Sequence, residues 1–193
     1  MKKIFFYIGS YFAITNCIAQ ETISPAAAQK ETIALTNATI HVGNGQVINN
    51  GTVVFKNGKV TAAGANVSTA GAKIIDCKGK QIYPGLILTA SQLGLMEVNS
   101  TRSTIDATEI GTFNPSIRSI VAYNTDSKVI NTLRTNGILL ANVIPSGGII
   151  SGSSSVVQLD AWNWEDAAYK PDIGIHFHMP SLLNRRSGRF GGF

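Results

Sequence analysis

His176, Phe177 and His178 form a His-x-His on a stretch of strand-like composition. Successive strand side chains alternate between faces, so both imidazoles would point the same way, toward one metal ion. Asp172 lies four positions upstream and offers a third donor, the number that a catalytic zinc usually takes from protein. The competing reading is of ordinary polar residues on a strand or loop, because His-x-His arises readily by chance and the remaining histidine, His41, lies far away in sequence. Gly147-Gly148 with Ser151 to Ser155 has neither the Lys-Ser/Thr of a phosphate-binding loop nor the GxGxxG spacing, and reads as a turn between two strands. Trp162 and Trp164, beside Glu165 and Asp166, read as aromatics covering an edge, with a carbohydrate-stacking or partner surface as the alternative. Cys77 sits at a strand end without a base nearby in sequence and is given no nucleophilic role.

Composition narrows the classes. With 44% hydrophobic and 14% charged residues among 193, the chain is that of an ordinary globular protein. Lys2-Lys3, the apolar run Ile4 to Ala13 and the small residues at Cys17 and Ala19 form an export signal, with cleavage expected after Ala19. Acylation at Cys17 would need a small residue before it and finds Asn16. The apolar run is shorter than the roughly 20 residues of a spanning helix, so no stable membrane span is expected after cleavage. Loss of Lys2 and Lys3 leaves 14 basic and 11 acidic residues, a net +3 too mild to imply a nucleic-acid partner. Arg185, Arg186 and Arg189, interleaved with Gly and Phe up to Phe193, look like an RNA-binding Arg-Gly segment, but in an exported chain they read as a solvated tail. The mature chain keeps a single cysteine and can form no internal disulfide.

The elements that would position these residues follow in order. Residues 20–31 read as a linker. Beyond them, Asn44-Gly45, Asn50-Gly51 and Asn57-Gly58 fall between short β-branched runs, and each pair supplies the positive φ of a tight hairpin turn. The clearest hairpin joins Thr52–Lys56 to Lys59–Ala63; short strands follow at Lys73–Asp76 and Gln81–Tyr83. Leu86-Ile87-Leu88 reads as a fully buried strand, and Glu97 to Arg118 as an extended loop. Thr125 or Asp126 would cap a helix whose apolar face is Val129, Ile130 and Leu133, ended by Asn136-Gly137. Ile138 to Ile144 is a near-continuous apolar run, as in a parallel strand covered on both faces. Ile149 to Ser155 reads as a Gly/Ser-rich turn region leading to Val156–Leu159.

The run Ile82 to Leu95 resembles the amidohydrolase superfamily, in which Pro-Gly-aliphatic-aliphatic-Asp leads into a His-x-His that binds metal on the first barrel strand. Here Leu88 stands at the Asp position, and Ala90 and Gln92 stand at the two histidine positions. The chain is similar to the secreted, imidazolonepropionase-like branch. The resemblance implies a composite β-sandwich whose N-terminal half is residues 32–84. Residues 85–193 would then be the start of a TIM-like (β/α)8 barrel, an incomplete α/β unit because a whole barrel takes about 250 residues. It implies hydrolysis of non-peptide C–N bonds in amides, lactams and cyclic ureas with one or two divalent metals, usually zinc, in intact members. Alanine has no donor atom and a glutamine amide is a poor zinc ligand, so no metal is assigned to this chain, which is expected to be inactive alone. Its partner would be the missing C-terminal part or a companion amidohydrolase-like chain, the alternative function being a non-catalytic binding or assembly module.

Overall fold

Strands in the first half of the chain are bounded by residues that tolerate positive φ, and these set the register of one sheet. The computed structural model describes residues 25–180; the stretch 1–19 read as an export signal, the start of the expected linker and the arginines at 185, 186 and 189 lie outside them. β1 (Ile33–His41), β2 (Val47–Lys56), β3 (Lys59–Gly64) and β4 (Lys73–Asp76) lie in the order β3-β2-β1-β4, and β5 (Gln81–Ile82) also pairs with β1. Asn57 and Gly58, at φ 51° and 70°, close the β2–β3 hairpin as the sequence predicts. Asn44-Gly45 likewise separates β1 from β2.

The third Asn-Gly pair is not a turn. Asn50 and Gly51 lie inside β2, where Asn50 takes φ 52° and the pairing with β1 shifts between Ala38↔Gly51 and Ile40↔Ile48. A bulge demands the same backbone conformation as a turn, and the ladder continuing on both sides keeps the strand whole. A matching irregularity on β1 centres on Asn37, at φ 61°, whose Nδ2 donates to Asp76 Oδ1 at 2.9 Å. There β4 ends, and the turn through Lys78-Gly79 carries the chain to β5, which resumes parallel pairing with β1. Ala34, Ala38, Ile40, Val53 and Val54 are buried, whereas Ile74 and Ile75 of β4 face solvent.

The second sheet contains β6 (Leu86–Ser91), β7 (Ile138–Val143), β8 (Ile150–Gln158) and β9 (Ala168–Phe177), in that order. β6 and β7 are parallel, joined by a crossover that carries two 3-10 turns, Arg102–Thr104 and Ser119–Ala122, and helix α1 (Lys128–Thr135). β8 and β9 then return antiparallel, so the described residues contain one parallel crossover unit rather than successive barrel strands. Leu93 and Leu95 after β6, Ile120 and Tyr123 of the crossover, Ile130 of α1, Ala141 and Val143 of β7, and Val157 of β8 form the core.

Four local expectations are corrected here. Leu86 and Ile87 are more than half exposed, and only Leu88 packs against the core, because one side of β6 carries no neighbouring strand among the described residues. Leu139 is exposed in the same way, so β7 is covered on both faces only toward its C-terminal end. Helix α1 starts after Ser127, not after Thr125 or Asp126, and its N-cap side chain makes no capping bond: Ser127 Oγ donates to Glu97 Oε2 at 2.9 Å and Thr125 Oγ1 to the Trp162 carbonyl at 3.0 Å. Ile130 and Leu133 face the core, while Val129 is exposed. Finally, Ile150 to Ser155 is strand, not turn. Gly152, at φ 119°, packs so closely on the crossover that an added Cβ would lie 2.5 Å from the Ile117 carbonyl oxygen. Small residues here serve close approach, which a turn-oriented reading of composition mistakes for punctuation. Among the described residues no helix is long and apolar enough to cross a membrane.

Candidate functional site

The strand ends that follow β6 and β7 gather the polar residues of the second sheet. Ala90 is exposed near the end of β6 and offers no donor atom. Gln92, one residue past the strand, is half-buried; its Nε2 donates to Ser146 Oγ at 2.8 Å. Ser146 Oγ also lies 3.1 Å from Thr108 Oγ1 and 3.3 Å from the Ala107 carbonyl, while Ser146 N donates to that carbonyl at 2.7 Å. Gln92 is therefore a strut that ties the end of β6 to the segment after β7 and to the crossover loop. An amide engaged in this way, beside an alanine, does not fit a divalent ion at this position.

His176 lies on β9, half-buried and paired in register with Gly152; His178 follows the strand, exposed, with its N–H donating to the Ile149 carbonyl at 2.8 Å. Burial, helped by the neighbouring His178, pushes the His176 pKa below the ordinary histidine value. Asp172 is not brought to this pair. Four residues of strand separate Asp172 and His176 by roughly 13 Å between Cα atoms, and the Asp172 carboxylate is engaged elsewhere. Arg118 Nε lies 3.0 Å from each Asp172 oxygen, a terminal Arg118 nitrogen lies 2.7 Å from Oδ2, and Ser153 Oγ donates to Oδ1 at 2.8 Å. These partners hold the Asp172 carboxyl below its usual range, Arg118 contributing most and Ser153 next. Asp172 itself adopts φ 50°, and its N–H donates to Ser155 Oγ at 3.0 Å. No group of three His, Cys, Asp or Glu side chains close enough to hold a metal ion occurs among the described residues.

Beside this clamp lies an open cleft of about 350 Å³, with Asp106, Glu109, Arg118, Ile117, Pro145 and Ser151 among its walls. Its volume falls within the range of small-ligand sites. Below the cleft Ser119, buried, donates to the Val143 carbonyl at 2.8 Å and fixes the Ser119–Ala122 turn against β7. The Tyr123 hydroxyl is buried with no hydrogen-bond partner; burial and then the nearby Glu97 carboxylate push its pKa well above the usual phenol value. Cys77 is buried and its thiol is free. Trp164 packs against the core, whereas Trp162 is largely exposed. Sequence reasoning missed Arg118, Ser153, Asp106 and Glu109. Arg118 and Asp172 meet across the sheet with no spacing signal, whereas the serine run was visible and signals close packing.

A crossover packed on a parallel strand pair, preceded by a separate small sheet, has a counterpart among solved structures. An amidohydrolase from Thermotoga maritima superposes with a TM-score of 0.70 at 24% identity, over 75% of this chain and 38% of that one. The fold is that of part of an amidohydrolase. This chain thus spans well under half the length of that amidohydrolase. Shorter overlaps occur with a D-hydantoinase, at 28% identity over 35% of this chain and 14% of that one with a TM-score of 0.30. A prolidase complexed with N-methylphosphonate-L-proline overlaps at 20% identity over 35% and 17%, with a TM-score of 0.31. No protein-family model matches the chain, and no curated protein matches it. Within the amidohydrolase fold, β6 and β7 form the parallel pair, and Ala90 and Gln92 occupy the end of the first of these strands.

Proposed function

We propose that this chain is the N-terminal portion of an exported amidohydrolase-like protein of the imidazolonepropionase-like branch, and that this portion supplies scaffold without a metal centre. Relatives of that kind hydrolyse non-peptide C–N bonds in amides, lactams and cyclic ureas. A divalent metal, usually zinc, lowers the pKa of a bound water and polarises the carbonyl in that chemistry. The observation that carries the reading is the pairing of an amidohydrolase fold with Ala90 and Gln92 at the end of β6, the Gln92 amide being bonded to Ser146. Export rests on the lysine pair, apolar run and small residues of positions 1–19.

Elemental analysis of the mature chain starting at Gln20, beside a His176→Ala, His178→Ala double variant, tests the reading. Substoichiometric zinc in both proteins, with no turnover of an amide and lactam panel, is the expected result. Stoichiometric zinc in the parent that disappears in the double variant would overturn it and locate a displaced metal centre on β9. N-terminal sequencing of exported material tests the cleavage site after Ala19.

A second reading is favoured by one observation. Leu86, Ile87 and Leu139 present apolar surface along the open side of β6 and β7, as a strand pair awaiting a neighbour would. A non-catalytic module that pairs with a separate amidohydrolase-like chain would bury that surface. Barrel strands with new histidines in the continuing reading frame support the first reading; a separate neighbouring chain that binds this one in native mass spectrometry supports the second.

A further inference from the structure

We propose that Asn44 is a modification site, where the side-chain amide converts without an enzyme to aspartate and isoaspartate, while the fold protects the three other Asn-Gly pairs. In such a pair the glycine nitrogen, having lost its proton to solvent base, attacks Cγ of the asparagine. The N–Cγ bond forms, the Cγ–Nδ2 bond breaks and Nδ2 leaves as ammonia; water then opens the cyclic imide at either carbonyl. The net change is loss of ammonia and gain of water, with no oxidant or reductant. Glycine favours the step because no side chain obstructs the approach. The surrounding structure decides which pair can carry it out.

Asn44 and Gly45 are exposed in the connection between β1 and β2. The Gly45 N–H makes no hydrogen bond with another described residue, and a Cβ placed on Gly45 would meet nothing within 4 Å. Asn44 Oδ1 accepts from the Gln46 N–H at 2.9 Å. That bond closes a ring spanning the Gly45 amide, so Cγ is folded back toward the attacking nitrogen. It also places a donor on the oxygen where negative charge develops as the nitrogen adds. The other pairs differ. Gly58 N donates to Gln29 Oε1 at 2.8 Å and Gly137 N to the Arg134 carbonyl at 3.0 Å, so both nucleophiles are already engaged. Asn136 Nδ2 donates to the Thr132 carbonyl at 2.7 Å, which holds the leaving nitrogen in place. Gly51 is buried, with an added Cβ 2.5 Å from Ile40 Cδ1, and Asn50 and Asn57 are fixed at φ 52° and 51° by a bulge and a turn.

The test is a time course of the purified protein at mildly alkaline pH, with peptide mapping by fragmentation mass spectrometry. Each asparagine is scored by the mass gained when amide nitrogen is exchanged for oxygen. Asn44 is expected to convert at least about fivefold faster than Asn50, Asn57 and Asn136, the factor that one hydrogen bond of ordinary net strength supplies. In concentrated urea the four rates should converge, Asn57 and Asn136 accelerating as their glycine N–H groups are released. Gln46→Pro removes the donor to Asn44 Oδ1 and should slow Asn44 in the folded protein, with circular dichroism reporting the fold. If that variant does not fold, Asn44 in the parent gives the same reading, since its rate in the folded protein should be no lower than in urea. Conversion of Asn57 or Asn136 as fast as Asn44 in the folded parent overturns the proposal. So does an Asn44 rate that rises in urea, or one that is unchanged in folded Gln46→Pro.

Discussion

The two sheets obtain their order from opposite sources. In β1–β5 the register is written locally: Asn57-Gly58 closes a hairpin, Asn37 and Asn50 form bulges, and the turn at Lys78-Gly79 lets β4 and β5 share one side of β1. Few side chains there are buried, and β4 presents Ile74 and Ile75 to solvent. In β6–β9 the reverse holds. Leu93, Leu95, Ile120, Ile130, Val143 and Val157 converge from separate segments into one core, and Arg118 reaches across to Asp172. Local turn chemistry is thus enough to arrange a sheet, whereas a candidate site needs the long-range packing that only the second sheet has.

Substitutions can break or sharpen this contrast. The largest effect is expected from Leu95→Ala, at the most buried leucine of the second core: about 3 kcal/mol lost in urea unfolding of residues 20–193, from transfer and cavity terms together. An effect no larger than that of a surface substitution would show that the second core does not carry stability. Gly152→Ala comes next, at about 2 kcal/mol, since the new Cβ meets Ile117 backbone and the φ of 119° disfavours any side chain. Gly58→Ala in the first sheet has open space around it and faces only its positive φ, so about 1 kcal/mol is expected from the same experiment. Parity between Gly152→Ala and Gly58→Ala would erase the distinction between packed and local control.

The smallest effect expected is electrostatic. The Asp172 carboxyl has a folded-state pKa below its ordinary 3.8, so protons bind the unfolded state more readily. Its contribution is present above pH 3.8 and is lost as pH falls through the lower folded value. The melting temperature of Asp172→Asn should therefore lie below that of the parent at neutral pH and converge with it in that acidic window. Because the pair is partly exposed, the gap should also narrow with added salt. A gap that widens on acidification would exclude the clamp as its cause.

Much of the first sheet was legible because its signals are short-range. Asn-Gly pairs state a backbone conformation, although they do not say whether a turn or a bulge uses it, which is why Asn50-Gly51 was misplaced. The run Ile82 to Leu95 likewise marked the first strand of the parallel pair, β6. The serine run misled because the same small residues suit a loop and a strand pressed against a neighbour. The cleft was invisible in the sequence. Asp106, Glu109, Arg118 and Asp172 become neighbours through a crossover and a hairpin, and no periodicity links them.

By itself the sequence determined the β2–β3 hairpin at Asn57-Gly58, the short strands that follow it up to Ile82, a helix stopped by Asn136-Gly137 and the residue types at the end of β6. These depend on allowed φ values, alternation and the chemistry of individual side chains, all read within a few residues. Only the tertiary structure decided that β8 and β9 run antiparallel, that Gln92 is a strut on Ser146, and that Asp172 belongs to Arg118 rather than to the histidine pair. Pairing direction and side-chain partnership depend on which distant segments share the same core. The free energy of that sharing belongs to the packed molecule and to no short stretch of the chain.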